Sequence, residues 1–387
     1  MNDIMNEKIK GKHTVIKPGA TIGILGGGQL GRMIALAGRE MGYRFATLDP
    51  VEDAPSAQVS DRQITAVYTD EAGVRELARI SDVITYEFEN VDARVAAVLE
   101  EEAFVPQGSE LLRMTQNRIR EKSTLASHGI PVAPFRIISS EQEAEQAIDE
   151  LGLPAVMKTA TGGYDGKGQR VIRRAEEAAT AFIALQEFQT EIIIEQFIPF
   201  TKEISVIAAR SLSGEIRTFP AAENIHKENI LHLSIVPARI SSFLAEKAAD
   251  LAETIADKLD VTGLIAVEMF VTKNEELVVN ELAPRPHNSG HYTMDACVTS
   301  QFEQHVRAIC NLPLGSTRLL TPVVMVNILG EHLDPLMEQV ANLPDSVKLH
   351  LYGKKESKPK RKMGHLNVAA ESVDDALKII DKIGIWK

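Results

Sequence analysis

LIAVEMFVTKNEELVVNELAPRPHNSGH, residues 264–291, holds two apolar runs on either side of the polar turn Thr272–Glu275. Both runs alternate and are rich in Val, Leu, Ile and Phe, so the stretch reads as a β-hairpin. Each run carries one carboxylate, Glu268 or Glu281, and Arg285, His287, Asn288 and His291 follow at once. A turn centred on Lys273 and Asn274 sets Glu268 opposite Val279. Glu281 then lies on the same face one diagonal away, roughly 7–8 Å between backbones. Two long carboxylates at that separation close on a hard divalent cation, with phosphate oxygens completing its shell. On this segment alone the plainer alternative, two strand glutamates facing solvent, stays open.

Around the hairpin, 387 residues are too many for one simple core and suggest two or three packed units. A hydrophobic share of 44% with 25% charged residues is ordinary for a soluble globular protein. The net charge of −12 argues against a general nucleic-acid binder, which must neutralise phosphates. The basic cluster Lys354–Lys362 still suits one small anionic ligand. No apolar run approaches the roughly 18–20 residues that span a bilayer, so no membrane partner is expected. The opening MNDIMNEKIKGKH has neither an apolar core nor a cleavage pattern, so residues 1–18 are expected as a short disordered tail without a signal peptide. Cys297 and Cys310 alone make no disulfide scaffold and no metal motif. A cytoplasmic enzyme is the expected class.

The order of elements predicts an α/β and α+β chain. Strand Thr21–Leu25 runs into GGGQLGRM (26–33), a helix over Leu30–Gly42 and a strand over Arg44–Asp49, a βαβ opening. Helices near Ala72–Ile80 and Val91–Glu102, a strand at Asp82–Tyr86 and a strand start at Phe104–Val105 extend it into an open parallel α/β domain, residues 19–115. The next unit, 116–312, begins with a helix over Arg118–His128. It continues through an extended IPVAPF, a helix over Glu141–Leu151 and a strand over Pro154–Lys158, then alternating strands and helices. Residues 313–387 form a small strand-rich unit, with strands at Val323–Ile328, Val347–Tyr352 and Gly364–Val368 and a helix at Val373–Lys382.

Two glycine loops stand out. Gly26, Gly28 and Gly31 satisfy G-x-G-x-x-G between a strand and a helix, and Asp49 ends the next strand, as in a dinucleotide site. An NAD-dependent oxidoreductase is therefore one reading; the same loop also suits any phosphate at a helix N-terminus, or only a tight turn. The second loop, TGGYDGKGQ (161–169), follows Lys158 directly, and its four glycines predict a flap that presses close to phosphates. Lys158 and Lys167 would bring positive charge to a polyphosphate. In IIIEQFIPFTKEISV (192–206) a strand exit can read an adenine edge, with Glu203 at hand for ribose hydroxyls.

Taken together these segments resemble the ATP-grasp superfamily. GGGQLGRM, TYEFENV (85–91), GGYDGKGQ, ENIHKENILHLSIVPAR (223–239), NELAPRPHNSGH and KMGHLNV (362–368) are similar to its N5-carboxyaminoimidazole ribonucleotide synthetases, from about Ile22 to Val368. Many members of that family carry Arg at the position of Lys167, so charge is kept but bidentate geometry is lost. The resemblance implies an ATP-grasp fold with an N-terminal open parallel α/β domain and a small C-terminal domain. It also implies ATP- and bicarbonate-dependent carboxylation of 5-aminoimidazole ribonucleotide via carboxyphosphate, in de novo purine biosynthesis. A formate-dependent glycinamide ribonucleotide transformylase is the nearest alternative within the superfamily. By the same resemblance Arg118, Lys158 and Gly163, Tyr164, Asp165, Gly166, Lys167, Gly168 and Gln169 contact ATP phosphates. Glu195, Gln196, Phe197 and Ile198 hold adenine and Glu203 the ribose, with His226 near the phosphates. Glu268 and Glu281 bind Mg²⁺, two ions being expected, with Asn280 in support. Gln29, Leu30, Glu87, Tyr164, Asp165, Asn288, Lys354, Arg361 and Lys362 meet the aminoimidazole ribonucleotide, and Arg285 and His287 meet bicarbonate and carboxyphosphate. No lysine has a biotin-acceptor context, and the family is commonly homodimeric.

Overall fold

A computed structural model describes residues 14–162 and 168–386. Residues 1–13 of the expected tail lie outside the described residues, as do Gly163, Tyr164, Asp165, Gly166 and Lys167 of the second glycine loop. Residues 14–18 are not a loose tail: Ile16 donates its amide to the Cys310 carbonyl at 3.0 Å and accepts from the Tyr43 hydroxyl at 2.6 Å.

The first sheet is built from β1 (Thr21–Leu25), β2 (Arg44–Asp49), β3 (Arg62–Thr65) and β4 (Val83–Tyr86), all parallel in the order β3-β2-β1-β4. β1 and β4 are continuous apolar runs because both faces of a parallel strand are covered. β3 escaped the sequence reading, since RQIT is short and polar, as an edge strand tolerates. Phe104–Val105 starts no strand. Phe104 gives one carbonyl to Ile84 at 2.9 Å, and Pro106 then ends any ladder.

A second sheet is antiparallel: β5 (Phe135–Ile138), β6 (Ala155–Thr159), β7 (Gln169–Ile172) and β8 (Ile192–Gln196), in the order β5-β8-β6-β7. Helices Glu141–Leu151 and Glu177–Gln186 cover it, burying Ala144, Ile148, Phe182 and Leu185 against Met157 and Ile194. The first helix starts cleanly because the Ser140 hydroxyl accepts the Glu143 amide, while the Glu143 carboxylate accepts from Ser139.

The third sheet has nine strands: β9 (Phe200–Arg210), β10 (Ile216–Thr218), β11 (Ala222–Lys227), β12 (Ile230–Val236), β13 (Gly263–Thr272), β14 (Leu277–Ala283), β15 (Val323–Leu329), β16 (Val347–Leu351) and β17 (Lys362–Ala369). Their order is β14-β13-β9-β11-β12-β15-β17-β16, with β10 on the edge of β9. The C-terminal strands thus extend the central sheet through β12–β15 pairing from Leu233↔Val326 to Val236↔Val323. Helix Ser242–Lys258 packs Leu244, Ala248, Ala252 and Ile255 onto the β9–β13 face. Helix Gln301–Ile309 buries Phe302, Val306 and Ile309 among Met33, Ile34 and Phe45, which fastens the first domain to the central sheet. Among the described residues no helix is long and apolar enough to cross a membrane.

Candidate active site

The β13–β14 hairpin turns through Thr272–Glu276, closed by the Thr272 amide on the Glu276 carbonyl at 3.0 Å, with Glu275 in the left-handed region. Met269 pairs with Val279, but Glu268 pairs with Glu281, so Asn280 is an extra residue in a β-bulge. The expected register, Glu268 opposite Val279 with Glu281 diagonal, is therefore corrected. The longer turn and the bulge bring the two carboxylates into direct opposition. Burial and then the Glu281 charge push Glu268 up to about 7. Arg118, the first residue of helix Arg118–Ser127, reaches across to donate to Glu281 Oε2 at 3.1 Å.

On the sheet beside this pair, Glu203 of β9 accepts from His226 Nδ1 of β11 at 2.6 Å. Burial alone would lower the His226 pKa, but the Glu203 carboxylate outweighs it and the pKa is raised. After β14 the chain bends at Pro284–Arg285, with the Arg285 amide on the Ala283 carbonyl at 2.9 Å, and Arg285 and His287 follow on either side of Pro286. His287 Nε2 lies 3.3 Å from Glu268 Oε1. Burial, with Arg285 and Lys362 nearby, keeps its imidazole well below the usual range and neutral. Arg285 is clamped through two guanidinium nitrogens by Glu89, with Nη2 at 3.0 Å. Next in the chain, Asn288 has both side-chain amide atoms buried without a hydrogen-bond partner among the described residues. Each such atom costs about 1–3 kcal/mol unless a ligand meets it.

Lys158 is the penultimate residue of β6, and its ammonium lies 3.0 Å from Glu195 Oε2 of β8; the buried Lys122 lies 3.4 Å from the same oxygen. In the stretch expected to read adenine, several groups are already engaged. The Glu195 side chain is committed inward to two lysines, the Gln196 amide to the Pro134 carbonyl at 2.9 Å and the Phe197 amide to the Pro154 carbonyl at 3.1 Å. Within the described residues only Ile198 of the four keeps an unbonded amide at the strand exit. Gly168, at the described edge of the flap, gives its carbonyl to the Thr159 amide at 2.9 Å, and Gln169 pairs with Lys158 across β6–β7.

The first glycine loop already holds anions of its own. Glu87, at the end of β4, accepts from the Gly28 amide and from the Gly31 amide at 2.7 Å, while Asp49 accepts from the Gly27 amide at 2.7 Å and from the Tyr68 hydroxyl at 2.5 Å. A pyrophosphate there would have to displace two carboxylates, so the dinucleotide reading fails on the occupancy of its own loop. Cβ atoms at Gly26 and Gly28 would strike Glu87, which is why both positions need glycine. Gln29 and Leu30 open the following helix beside this cluster.

The basic C-terminal segment folds back onto the first domain. Gln58 Nε2 donates to the Gly353 carbonyl at 2.9 Å, and the Lys355 ammonium lies 3.4 Å from Asp53. Lys354 donates to the Lys362 carbonyl at 2.7 Å. Burial and then Arg361 bring Lys354 down to about 8, against the opposing pull of Glu87. Arg361 is exposed and donates to the Glu356 carbonyl at 2.8 Å. Lys354 thus feels the Glu87 charge, while Glu268, Glu281, Arg285 and His287 cluster about the hairpin.

This arrangement has known counterparts. Residues 19–116 match a ribonucleotide synthetase preATP-grasp domain, 123–302 an ATP-grasp domain and 323–379 a phosphoribosylaminoimidazole carboxylase C-terminal domain. The N5-carboxyaminoimidazole ribonucleotide synthase of Bacillus subtilis is 54% identical over 361 residues, covering 93% of this chain and 94% of that one. The chain belongs to the N5-carboxyaminoimidazole ribonucleotide synthase family. That of Brucella melitensis is 45% identical, covering 91% of this chain and 97% of its own. A crystal structure of an N5-carboxyaminoimidazole ribonucleotide synthetase in complex with ADP superposes with a TM-score of 0.93 at 55% identity, covering 97% of this chain and 98% of that one. The Aspergillus clavatus enzyme in complex with ADP and 5-aminoimidazole ribonucleotide superposes with a TM-score of 0.88 at 31% identity, covering 94% and 97%.

Three residues shaping this synthase-family site were missed in the sequence. Glu89 sits inside TYEFENV, and a carboxylate two residues after Glu87 was the available signal. Glu121 and Lys122 look like ordinary helix-surface charges; only their spacing of three and four from Arg118 puts them on its face. Burial and then Glu281 push Glu121 up to about 8.

Proposed function

We propose that this chain carboxylates 5-aminoimidazole ribonucleotide to N5-carboxyaminoimidazole ribonucleotide, using ATP and bicarbonate and releasing ADP and phosphate, in purine biosynthesis. The observation that carries the reading is the direct opposition of Glu268 and Glu281 between Arg118 on one side and Arg285 with His287 on the other. The chemistry has two displacements. A bicarbonate oxygen attacks the γ-phosphorus of ATP and ADP leaves, giving carboxyphosphate. The aminoimidazole amine then attacks the carboxyl carbon and phosphate leaves.

The donor set suits Mg²⁺. Glu268 Oε2 and Glu281 Oε1 have no protein partner among the described residues, and a cation between them relieves the repulsion that raises Glu268. Among the described residues no cluster of three or more His, Cys, Asp or Glu is disposed to hold a metal. An ion bound by one or two carboxylates, phosphate oxygens and water needs none. When bound, Mg²⁺ (two ions in this reading, with Asn280 in support) neutralises the phosphate charge during transfer.

Lys158 and Arg118 fix the ATP phosphates, with Gly163 to Gln169 as further phosphate contacts. Ile198 meets the adenine edge with its amide, Glu195 with Gln196 and Phe197 shaping the strand exit, while Glu203 takes the ribose beside His226. Arg285, pre-oriented by Glu89, and neutral His287 receive bicarbonate and hold carboxyphosphate away from water. Gln29, Leu30, Glu87, Tyr164, Asp165 and the unpartnered Asn288 amide surround the aminoimidazole ribonucleotide. Lys354, Arg361 and Lys362 take its 5′-phosphate through charge-assisted bonds. A homodimer is the proposed assembly.

The test is ADP release with and without aminoimidazole ribonucleotide and bicarbonate, with labelled bicarbonate traced into the product. ADP release that needs neither co-substrate, or that accepts formate with glycinamide ribonucleotide instead, overturns the assignment.

A further inference from the structure

Two ammonium groups converge on one carboxylate oxygen of the smaller sheet. In the β6–β8 ladder Lys158 stands opposite Ile193 and Val156 opposite Glu195, which sets Lys158 and Glu195 on a diagonal of one face. Helix Arg118–Ser127 meets that face through Ile119, which shares an apolar cluster with Ile193. Lys122, one turn on from Arg118 and Ile119, falls on the same side of the helix. The Lys158 ammonium lies 3.0 Å and the Lys122 ammonium 3.4 Å from Glu195 Oε2, while Oε1 is buried without a hydrogen-bond partner among the described residues. The three side chains differ in access: Lys158 is 12% exposed, Glu195 4% and Lys122 1%.

One cation is enough to neutralise one carboxylate. A second on the same oxygen is repelled by the first and has given up its hydration to be there, so it is a net burden while both are in place. It becomes favourable when the first one leaves. On the reading above Lys158 does leave, because its ammonium serves the ATP phosphates. A carboxylate stranded in the interior by that departure would offset what the phosphate contact gains. Lys122 cannot follow, since it is enclosed and its ammonium also donates to the Val279 carbonyl of β14 at 3.4 Å. Arg118 is engaged elsewhere, on Glu281 at 3.1 Å.

We propose that Lys122 is a positioning residue for ATP: it remains on Glu195 as a standing counter-ion, which frees the Lys158 ammonium to pass from that carboxylate to the nucleotide phosphates. The inference rests on the reading of Lys158 as a phosphate contact. A lysine that only satisfied Glu195 would be redundant beside Lys158; one that stays behind when Lys158 moves is not.

Lys122→Met keeps the apolar stem and removes the charge. Without nucleotide Glu195 still has Lys158, so the variant folds. Its Kd for ATP with Mg²⁺, read by calorimetry without the other substrates, rises roughly a hundredfold, the lower end of the cost of stranding one member of a buried pair. KM for aminoimidazole ribonucleotide holds. Adding Glu195→Gln to Lys122→Met leaves Lys158 no carboxylate to desert, and the Kd for ATP recovers to within about tenfold of wild type, a coupling that a double-mutant cycle reads directly. Packing damage at Lys122 would give no such recovery, and its absence overturns the proposal; so does ATP affinity in Lys122→Met within about threefold of wild type. Where Lys122→Met does not fold, a crystal structure of the wild type with a non-hydrolysable ATP analogue decides. Lys158 is expected on a phosphate oxygen with Lys122 still paired to Glu195, and a Lys158 that keeps its 3.0 Å contact overturns the proposal. A wild-type protein that binds no ATP would instead overturn the reading of Lys158, and one that binds ATP as expected without carboxylating would overturn the proposed reaction alone.

Discussion

Replacing Glu281 by Gln separates the catalytic worth of the hairpin carboxylate from its structural worth. Its side chain is 47% exposed and its one ion-pair partner among the described residues, Arg118, lies 3.1 Å away. A pair that open to solvent contributes about 0–1 kcal/mol to stability. Against that small loss stands a gain, because the Glu281 charge is second only to burial in raising both Glu268 and Glu121. The unfolding temperature should therefore stay within about 3 °C of wild type. Turnover should not survive so well. On the proposed reading half of the carboxylate charge facing the transferred phosphoryl group is gone, and the loss of one preorganised transition-state stabiliser costs about 2.7–4 kcal/mol, a factor of roughly 10²–10³ in kcat. Coupled measurement of ADP release at saturating ATP, bicarbonate and aminoimidazole ribonucleotide reads this directly. A variant that melts like wild type and turns over within about tenfold of it at ordinary Mg²⁺ concentration would refute the assignment.

Lys158→Ala should weaken ATP binding and slow phosphoryl transfer, and it also strips Glu195 of its nearer lysine; a tight stoichiometric NADH complex in the same titration would contradict the picture of a self-filled glycine loop. Arg361→Ala should raise KM for aminoimidazole ribonucleotide by about tenfold, the lower end of a charged contact at ~1.5 kcal/mol because the guanidinium is exposed, and should leave KM for ATP unchanged. A dephosphorylated substrate should be insensitive to that change, and equal losses for both substrates would assign the segment another task. Glu121, raised to about 8 in the fold against an ordinary 4.5, favours folding when protonated; that contribution is full below about pH 4.5 and is lost as pH rises through about 8. Glu121→Gln should accordingly melt higher than wild type near pH 9 and converge with it near pH 5 in thermal scans. Glu89→Gln leaves the enclosed Arg285 without its bidentate partner and should lower both the melting temperature and kcat; a folded variant that melts lower yet turns over like wild type would exclude a positioning role.

The hairpin itself was legible in the sequence, because alternating Val, Leu and Phe on both sides of a polar turn leave few alternatives. Its register was not. The left-handed Glu275 lengthens the turn and Asn280 adds one residue to β14, and neither has a signature apart from the pairing it produces. The first glycine loop shows the same limit. G-x-G-x-x-G announces backbone amides aimed at an anion, but the anion is Glu87, delivered by a strand far along the chain. The apolar runs of β15 and β17 were readable as strands. Their addition to the central sheet depends on β12, a partner no local pattern names. Buried Lys122 and Glu121 were invisible, since nothing in a helix sequence says that charged residues on its Arg118 face will meet β14 rather than water.

The pairing of β12 with β15 decides which part of the molecule is free to move. It places the hairpin carboxylates and the strand beginning at Lys362 in one hydrogen-bonded lattice, and swinging the C-terminal strands outward would mean breaking that ladder. The β5–β8 sheet, which carries Lys158 and the strand exit at Ile198, shares no ladder with the lattice among the described residues. Among those residues, what ties that smaller sheet to the lattice is a single Val132–Val279 bridge and side-chain contacts such as the buried Lys122–Glu195 pair. The hairpin carboxylates and Lys362, joined through one ladder, would keep their spacing through any movement of the smaller sheet.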